Sequence, residues 1–294
     1  MSNTLASMNH KIAGAKDLRT VVRTMKSVAA ANIGQYEKSV RALADYDRTV
    51  ELGLSVYFRK NGSTSLSTNH TKKMNRLVAV VFGSDQGLVG QFNDIVTDYT
   101  VKTLATLANK PQVFAVGERV HSRLMNSELP PVALFDLPNS VGGITPLIGK
   151  VLSEAEKDDK NSEVTELHLF YNRPTTGAGY EPTHLRLLPL DEQWRKKLIK
   201  TPWPSENLPE ILGEDMTILR ALIREYLFIS LFRACAESLA SENASRLAAM
   251  QRADKNINEL LENLDRTYHR LRQGSIDEEL FDVVSGFEAL TLPK

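Results

Sequence analysis

Residues 8–43 read MNHKIAGAKDLRTVVRTMKSVAAANIGQYEKSVRAL, and their spacing decides the fold. Met8, Ala15, Val22, Ala29, Tyr36 and Leu43 stand seven apart. Near the other end Leu222, Ile229, Ala236, Met250, Ile257, Leu264 and Leu271 keep the same step, and Asn243 fills the one polar place in that line. No proline precedes Pro111, and none lies between Pro209 and Pro293. Two distant segments that each carry a seven-residue apolar repeat both need a helical partner, so the spacing predicts that they pair with each other. Such a pair is a rod, an object suited to reach or force rather than to a pocket.

A second line in the first segment passes through Leu5, Ile12, Leu18, Met25, Ile33 and Val40. The mean step between the two lines is about 3.5 residues, the coiled-coil period. Arg19 and Lys26 fall where an unshifted second line would run, which marks that part of the seam as imperfect and as a place for a partner contact. The first helix is expected from Thr4, its N-cap, to about residue 58. The last is expected from about Asp215 to Ala289. At ~1.5 Å per residue they would measure roughly 80 Å and on the order of 100 Å, so the second outreaches the first. Its last turns hold Phe281, Val283, Val284, Phe287, Leu290 and Leu292, and an overhanging apolar tip is expected to be seated in another protein.

The middle of the chain changes period. Leu77-Val78-Ala79-Val80-Val81-Phe82 is a continuous apolar run, as for a buried parallel strand, and ends in the turn Gly83-Ser84-Asp85-Gln86-Gly87. A helix over 92–107, a strand over 113–116, a helix over 119–125 and a short strand over 132–137 follow. A helix over 145–157 is expected to be capped by Thr145, with Pro146 in its first turn. Residues 167–171 and 184–188 read as a hairpin around Pro174-Thr175-Thr176-Gly177. Strand–helix–strand order predicts a Rossmann-like α/β domain with a mostly parallel sheet. The expected organisation is an N-terminal coiled-coil helix over 1–60, a linker over 61–74, the α/β domain over 75–200 and a C-terminal coiled-coil helix over 210–294. The two terminal helices pair antiparallel.

Composition narrows the function classes. Among 294 residues Lys and Arg together equal Asp and Glu, 36 each, so total charge gives no sign of a nucleic-acid partner. The charges are segregated: residues 11–41 are mostly basic, whereas Asp277, Glu278, Glu279, Asp282 and Glu288 crowd the end. That asymmetry suits offset or antiparallel pairing and docking to charged partners, and equally a solvated helix face. The single cysteine, Cys235, excludes an intrachain disulfide and a cysteine cluster for metal, and reads as a space-filling helix residue. No apolar run approaches the ~20 residues of a bilayer span, and no secretory signal is visible.

No catalytic constellation emerges. Residues 83–90 follow a strand and precede a helix, the place for a phosphate loop, but match neither a dinucleotide fingerprint nor a P-loop; they read as a tight turn needing glycines for room. The six histidines show no paired ligand spacing. Asp277-Glu278-Glu279 is a solvated or docking cluster rather than an acid–base pair, because neighbours on a helix point apart. No cofactor is expected.

Residues 23–31, RTMKSVAAA, resemble the AMKMVAAAK stretch of the gamma subunit of F-type ATP synthases. GSDQGLVGQFN at 83–93 is similar to that family's TSDKGLCGGLN, and ESLASENASRLAAM at 237–250 to its ESxASEHAARMAAM. Residues 268–290, with Arg272, Gln273, Ile276, Glu279, Val284 and Gly286, resemble its YNKARQAxITxEIxEIVxGAxAL. The likeness covers nearly the whole chain. Departures are Val89 for Cys, Gln91 for Gly, Asn32-Ile33-Gly34 in place of a basic continuation, Gly274 for Ala, Asp277 for Thr and Phe287 at a small tip position; they fit a divergent or alternative bacterial version.

The resemblance implies a non-catalytic rotor. It would couple ion flow through a membrane c-ring to ATP synthesis or hydrolysis by imposing different conformations on three β sites. Implied partners are the α and β subunits, the epsilon subunit and the c-ring, with no nucleic acid. The implied location is the cytoplasmic face of the bacterial inner membrane, peripheral, held there through the complex. Motif matching places contacts to α and β subunits at Met25, Arg246, Arg272, Gln273, Asp277 and Glu279, although Met25 reads better as a seam residue packed within the coil. It places a bearing tip at Phe281, Val284, Phe287 and Leu290, and a side facing the c-ring and epsilon at Trp203 and Glu206. The alternatives are a non-rotary coiled-coil adaptor and an enzyme using the 83–90 loop for a nucleotide.

Overall fold

The computed structural model describes residues 4–61, 74–107, 110–157, 162–176, 179–207 and 209–291. Most of the expected linker, residues 62–73, lies outside them, as does part of the hairpin turn. The helices are α1 (Leu5–Ala42), α2 (Ala44–Asn61), α3 (Phe92–Leu104), α4 (Glu118–Met125), α5 (Ile144–Glu156), α6 (Glu192–Lys200) and α7 (Asp215–Thr291). The strands are β1 (Met74–Phe82), β2 (Gln112–Val116), β3 (Ala133–Phe135), β4 (Ser162–Pro174) and β5 (Tyr180–Leu188). The chain forms two compact units, Met1–Ala29 with Leu247–Lys294, and Ala30–Arg246.

The smaller unit is a two-helix seam. Ile12, Ala15 and Val22 of α1 are buried with Met250, Ile257 and Leu261 of α7, and Met25, Leu264 and Tyr268 pack against them. Arg19 reaches Asn258 at 3.4 Å and Arg23 reaches Asp254 at 3.2 Å, so one helix number rises as the other falls: the pairing is antiparallel. The second apolar line differs from expectation. Leu18 is 52% exposed, while Arg19 is half-buried in the strict seven-residue place and spends its guanidinium on Asn258. A polar partner across the seam keeps the period that a leucine one position earlier would have broken.

The larger unit holds a five-stranded sheet in the order β3-β2-β1-β4-β5, parallel except for β5, which runs antiparallel to β4. β1 is buried on both faces, as its unbroken apolar run requires. Val78, Val80, Phe82, Leu167, Leu169 and Tyr171 face one side with α5, Tyr36 of α1 and Leu231, Cys235 and Leu239 of α7. Leu77, Ala79, Val81 and Phe170 face the other with α3 and α4. A third cluster joins Val50, Leu54, Tyr57 and Phe58 of α2 to Leu198 of α6 and to Leu219 and Ile229 of α7. In this unit too the long helices run antiparallel, with Asn32 beside Asn243 at 3.4 Å and Tyr46 donating to Glu225 at 2.6 Å.

Three local expectations are corrected. The first helix breaks at Leu43 rather than running to 58. Leu43 still donates to the Ser39 carbonyl and its own carbonyl accepts from Asp47, so helical hydrogen bonding runs across the break; one turn earlier the Ser39 hydroxyl donates to the Tyr36 carbonyl, a competing local bond. α5 starts at Ile144 behind Gly143 and Thr145 is inside it, so no side chain caps that end. α6 is an unanticipated helix, capped by Asp191, whose carboxylate accepts from the Gln193 amide at 3.1 Å. Thr4 does cap α1, accepting from the Ser7 amide at 3.3 Å.

Candidate functional site

Among the described residues no three His, Cys, Asp or Glu side chains are placed to hold a metal, and no helix is long and apolar enough to cross a membrane. The features to weigh are therefore a loop, a buried ion pair and exposed surfaces.

The loop after β1 is built inward. A Cβ on Gly83 would lie 2.3 Å from Val120, which is why glycine stands there. The Ser84 amide donates to Asn93 Oδ1 at 2.9 Å, Asn93 Nδ2 donates to the Ser84 hydroxyl at 2.8 Å, and that hydroxyl donates to the Gln86 carbonyl at 2.9 Å. Asp85 accepts from the Glu118 amide at the start of α4 and from the Leu137 amide after β3, both at 3.0 Å. A carboxylate thus occupies the helix end where a phosphate would sit. The loop fastens sheet, α4 and α7: the Ser245 hydroxyl donates to the Val89 carbonyl at 2.6 Å. Leu88, at φ +64, is held outward and is 60% exposed beside a groove of about 420 Å³ lined in part by Arg119 and Arg123.

Arg246 lies one turn after Glu242 and binds its carboxylate at 2.6 Å, with side chains only 12% and 6% exposed. Burial raises the Glu242 pKa and the guanidinium opposes that shift. Arg246 is thus committed to its own helix, through an i,i+4 spacing that the motif displays but the reading did not use. Cys235 is fully buried and burial pushes its thiol up, so it fills space. The Tyr171 hydroxyl donates to Glu237 at 2.8 Å, and burial holds its pKa up at about 12.

In the smaller unit the remaining sequence-expected residues separate by exposure. Met25 is half-buried against the seam. Every side chain from Ile276 to Phe287 is exposed, so Asp277 and Glu279 face outward, as do Arg272 and Gln273 just before them. Phe281 is 71% and Phe287 66% exposed, and Val284 is also exposed. Leu290 lies in the last turns of α7, where side chains fall outside the described residues. A helix that shows this much apolar surface to water is built to be covered. Sequence reading missed a second apolar row, Leu18, Val21 and Val28 on α1, each more than half exposed. Its spacing of three and seven was legible, but Leu18 had been assigned to the seam. In the larger unit Trp203 is half-buried with its indole N–H on the Ser205 hydroxyl at 3.1 Å, and Glu206 is exposed.

A profile of the family described as ATP synthase matches residues 4–290. The chain is 27% identical to the ATP synthase gamma chain of Clavibacter michiganensis subsp. michiganensis, covering all of both chains. It is 27% identical to the mitochondrial ATP synthase subunit gamma of Drosophila melanogaster, over 98% of this chain and 91% of that one. Its fold matches a chain in the rotor of Euglena gracilis mitochondrial ATP synthase with a TM-score of 0.62 at 19% identity, over 92% of this chain and 98% of that one.

Proposed function

The chain belongs to the ATP synthase family, whose profile spans residues 4–290, and on that premise we propose that it is the gamma subunit, the central rotating shaft. It carries no active site. It couples ion flow through a membrane ring to ATP chemistry in α and β subunits, and the epsilon subunit joins it at the ring. The observation that carries this reading is the smaller unit: an antiparallel seam from which α7 continues with its side chains from 276 to 287 exposed.

Such a shaft works by being unequal around its axis. One face carries the apolar row Leu18, Val21 and Val28, and the end of α7 combines Asp277 and Glu279 with Phe281 and Val284. A surface of this kind offers different contacts to each of three surrounding sites, and turning it exchanges them. Moving one site from 1:99 to 99:1 between two conformations takes about 5.5 kcal/mol of differential contact. Arg272, Gln273, Asp277 and Glu279 are the polar contacts to the catalytic subunits, with Phe281, Val284, Phe287 and Leu290 turning in an apolar bearing. Met25 supports the seam from behind. Arg246 acts through its pairing with Glu242, stiffening α7, rather than by reaching a partner. Trp203 and Glu206 face the ring and epsilon. The chain works at the cytoplasmic face of a bacterial inner membrane, held there by its partners.

Purification of the tagged chain from its native host tests the reading. The expected result is one copy with three α and three β subunits and ATP hydrolysis in the same fraction. Recovery of the chain in a complex without those subunits overturns it.

A further inference from the structure

His168 and His184 play no part in the shaft reading, yet they form the most unusual polar contact in the larger unit. They sit on β4 and β5, where His168 pairs across the ladder with Arg186 and His184 with Phe170. The two imidazole planes lie 3° from parallel with centroids 5.1 Å apart and meet edge to edge through their nitrogens, and His184 stacks on Phe170 at 4.7 Å. His168 Nδ1 and His184 Nε2 lie 2.8 Å apart, and His168 Nε2 faces Glu166 Oε2 at 3.5 Å. His168 is 2% exposed, and its Nε2 has no hydrogen-bond partner.

This geometry permits only some proton arrangements. A bond between two ring nitrogens needs one donor and one acceptor. With Nε2–H of His168 turned toward Glu166, an electrostatic contact longer than a hydrogen bond, its Nδ1 accepts from His184, and carboxylate, imidazole and imidazole stand in a row. One added proton can be shared in that row. A second makes both facing nitrogens donors and breaks the contact. The charged groups around the pair are Glu166 on β4 and Arg186 on β5; the β1 neighbour of His168 is Ala79, and α3 presents Tyr99 through Phe170.

We propose that Glu166, His168 and His184 form a proton-responsive clasp that holds β5 on β4 and releases it as the solution is acidified. Burial favours the neutral imidazoles, and both titrate below their ordinary value. An opened hairpin exposes histidines that take up protons near 6.5, so acid favours opening. At pH 5.5 each such histidine enlarges the open population about tenfold if it stays neutral when closed. The clasp matters beyond the hairpin. Tyr171 on β4 holds Glu237 of α7, and Tyr180 at the start of β5 packs on Phe92 at 5.2 Å. Releasing β5 loosens the grip of the sheet on its helices.

The test is hydrogen exchange of the full-length chain at pH 7.5 and 5.5, corrected for intrinsic rates, read at peptides covering 180–188 and 77–82. The expected result is about tenfold or greater loss of protection in β5 on acidification, with β1 little changed. His168→Gln with His184→Gln is expected to flatten that response. Glu166→Gln, at a half-exposed position that does not threaten folding, removes the charge favouring protonation of the closed state, and so enlarges the loss at pH 5.5. An acid response in β5 that is absent, or identical in wild type and Glu166→Gln, overturns the proposal.

Discussion

Replacing Ile257 by alanine attacks the smaller unit where its core is thinnest. Ile257 is 6% exposed and belongs to a cluster of only six buried side chains. The substitution removes three carbons, worth about 2.4 kcal/mol at ~0.8 kcal/mol per methylene. A residual cavity adds to this, because the two-helix seam has few neighbours able to fill it, so the expected cost is about 3 kcal/mol. At ~1.4 kcal/mol per tenfold that is on the order of a hundredfold in local opening. Leu260, on the same helix but 48% exposed, is the control and should cost less than about 1 kcal/mol when cut to alanine. Hydrogen exchange is the assay. Amides over 12–26 and 250–264 should lose about a hundredfold protection in Ile257→Ala, while those of β1 should be unchanged if each compact unit opens by itself. Equal loss in β1 would show one cooperative body and refute the division. No loss in the seam would refute the assignment of Ile257 to its core.

Arg272→Ala with Gln273→Leu should lower ATP turnover of the assembled complex while leaving the thermal midpoint of the chain unchanged, because both side chains are exposed; unaltered turnover counts against their contact role. Gly34→Ala should stabilise the chain by about 0.5–1 kcal/mol in denaturant unfolding, since a Cβ there meets nothing within 4 Å in the middle of α1. Gly117→Ala should destabilise it by roughly 1–3 kcal/mol, because φ is +113 and the new carbon would lie 2.9 Å from the Ser84 backbone. Glu51→Gln should stabilise the larger unit near neutral pH. Burial, then Asp47, raises the Glu51 pKa, so the folded state holds that proton to higher pH than the unfolded chain does. Its contribution is most favourable below the ordinary value of a free glutamate and is lost as pH rises through the folded value. The glutamine variant should therefore gain most at neutral pH and least below about pH 4, and a gain that does not depend on pH would refute the cause.

The strict heptad lines were the most legible feature, because burial in a two-helix seam repeats with the period that the sequence displays. Met8, Ala15, Val22 and Ala29 are all under 8% exposed, and Tyr36, next in the line, is buried in the core of the larger unit instead. What defeated reading was competition between hydrophobicity and period. Leu18 looks like a core residue, yet the seam keeps its step through Arg19, whose charge is answered by Asn258 more than two hundred residues away. No local pattern announces such a partner. α6 was readable in retrospect from Asp191 as a cap and from Trp194, Leu198 and Ile199 on one side, but a nine-residue helix gives the period little room. The 83–93 loop was legible as a glycine-demanding turn. That Asp85 ties α4 to the strand beyond it was not, since both amides arrive from elsewhere in the chain.

Those failures share a cause that bears on how the shaft works. A residue whose place is set by solvent exposure can be read from its neighbours; one set by a distant partner cannot. Arg19 and Arg246 both resemble docking residues in sequence, and each instead has a partner within the chain, in Asn258 and Glu242. Those bonds tie parts of the coil together, while Lys11, Lys16, Lys255 and Arg272 stay exposed alongside the apolar row on α1 and the mixed end of α7. The apolar part of that outward surface gives each turning position contacts of modest, short-ranged energy. Apolar contacts fall away within a few ångströms, whereas the exposed charges act on neighbours across a Debye length of about 8 Å. Rotation needs the former, since preference must be won and lost sharply as the surface passes.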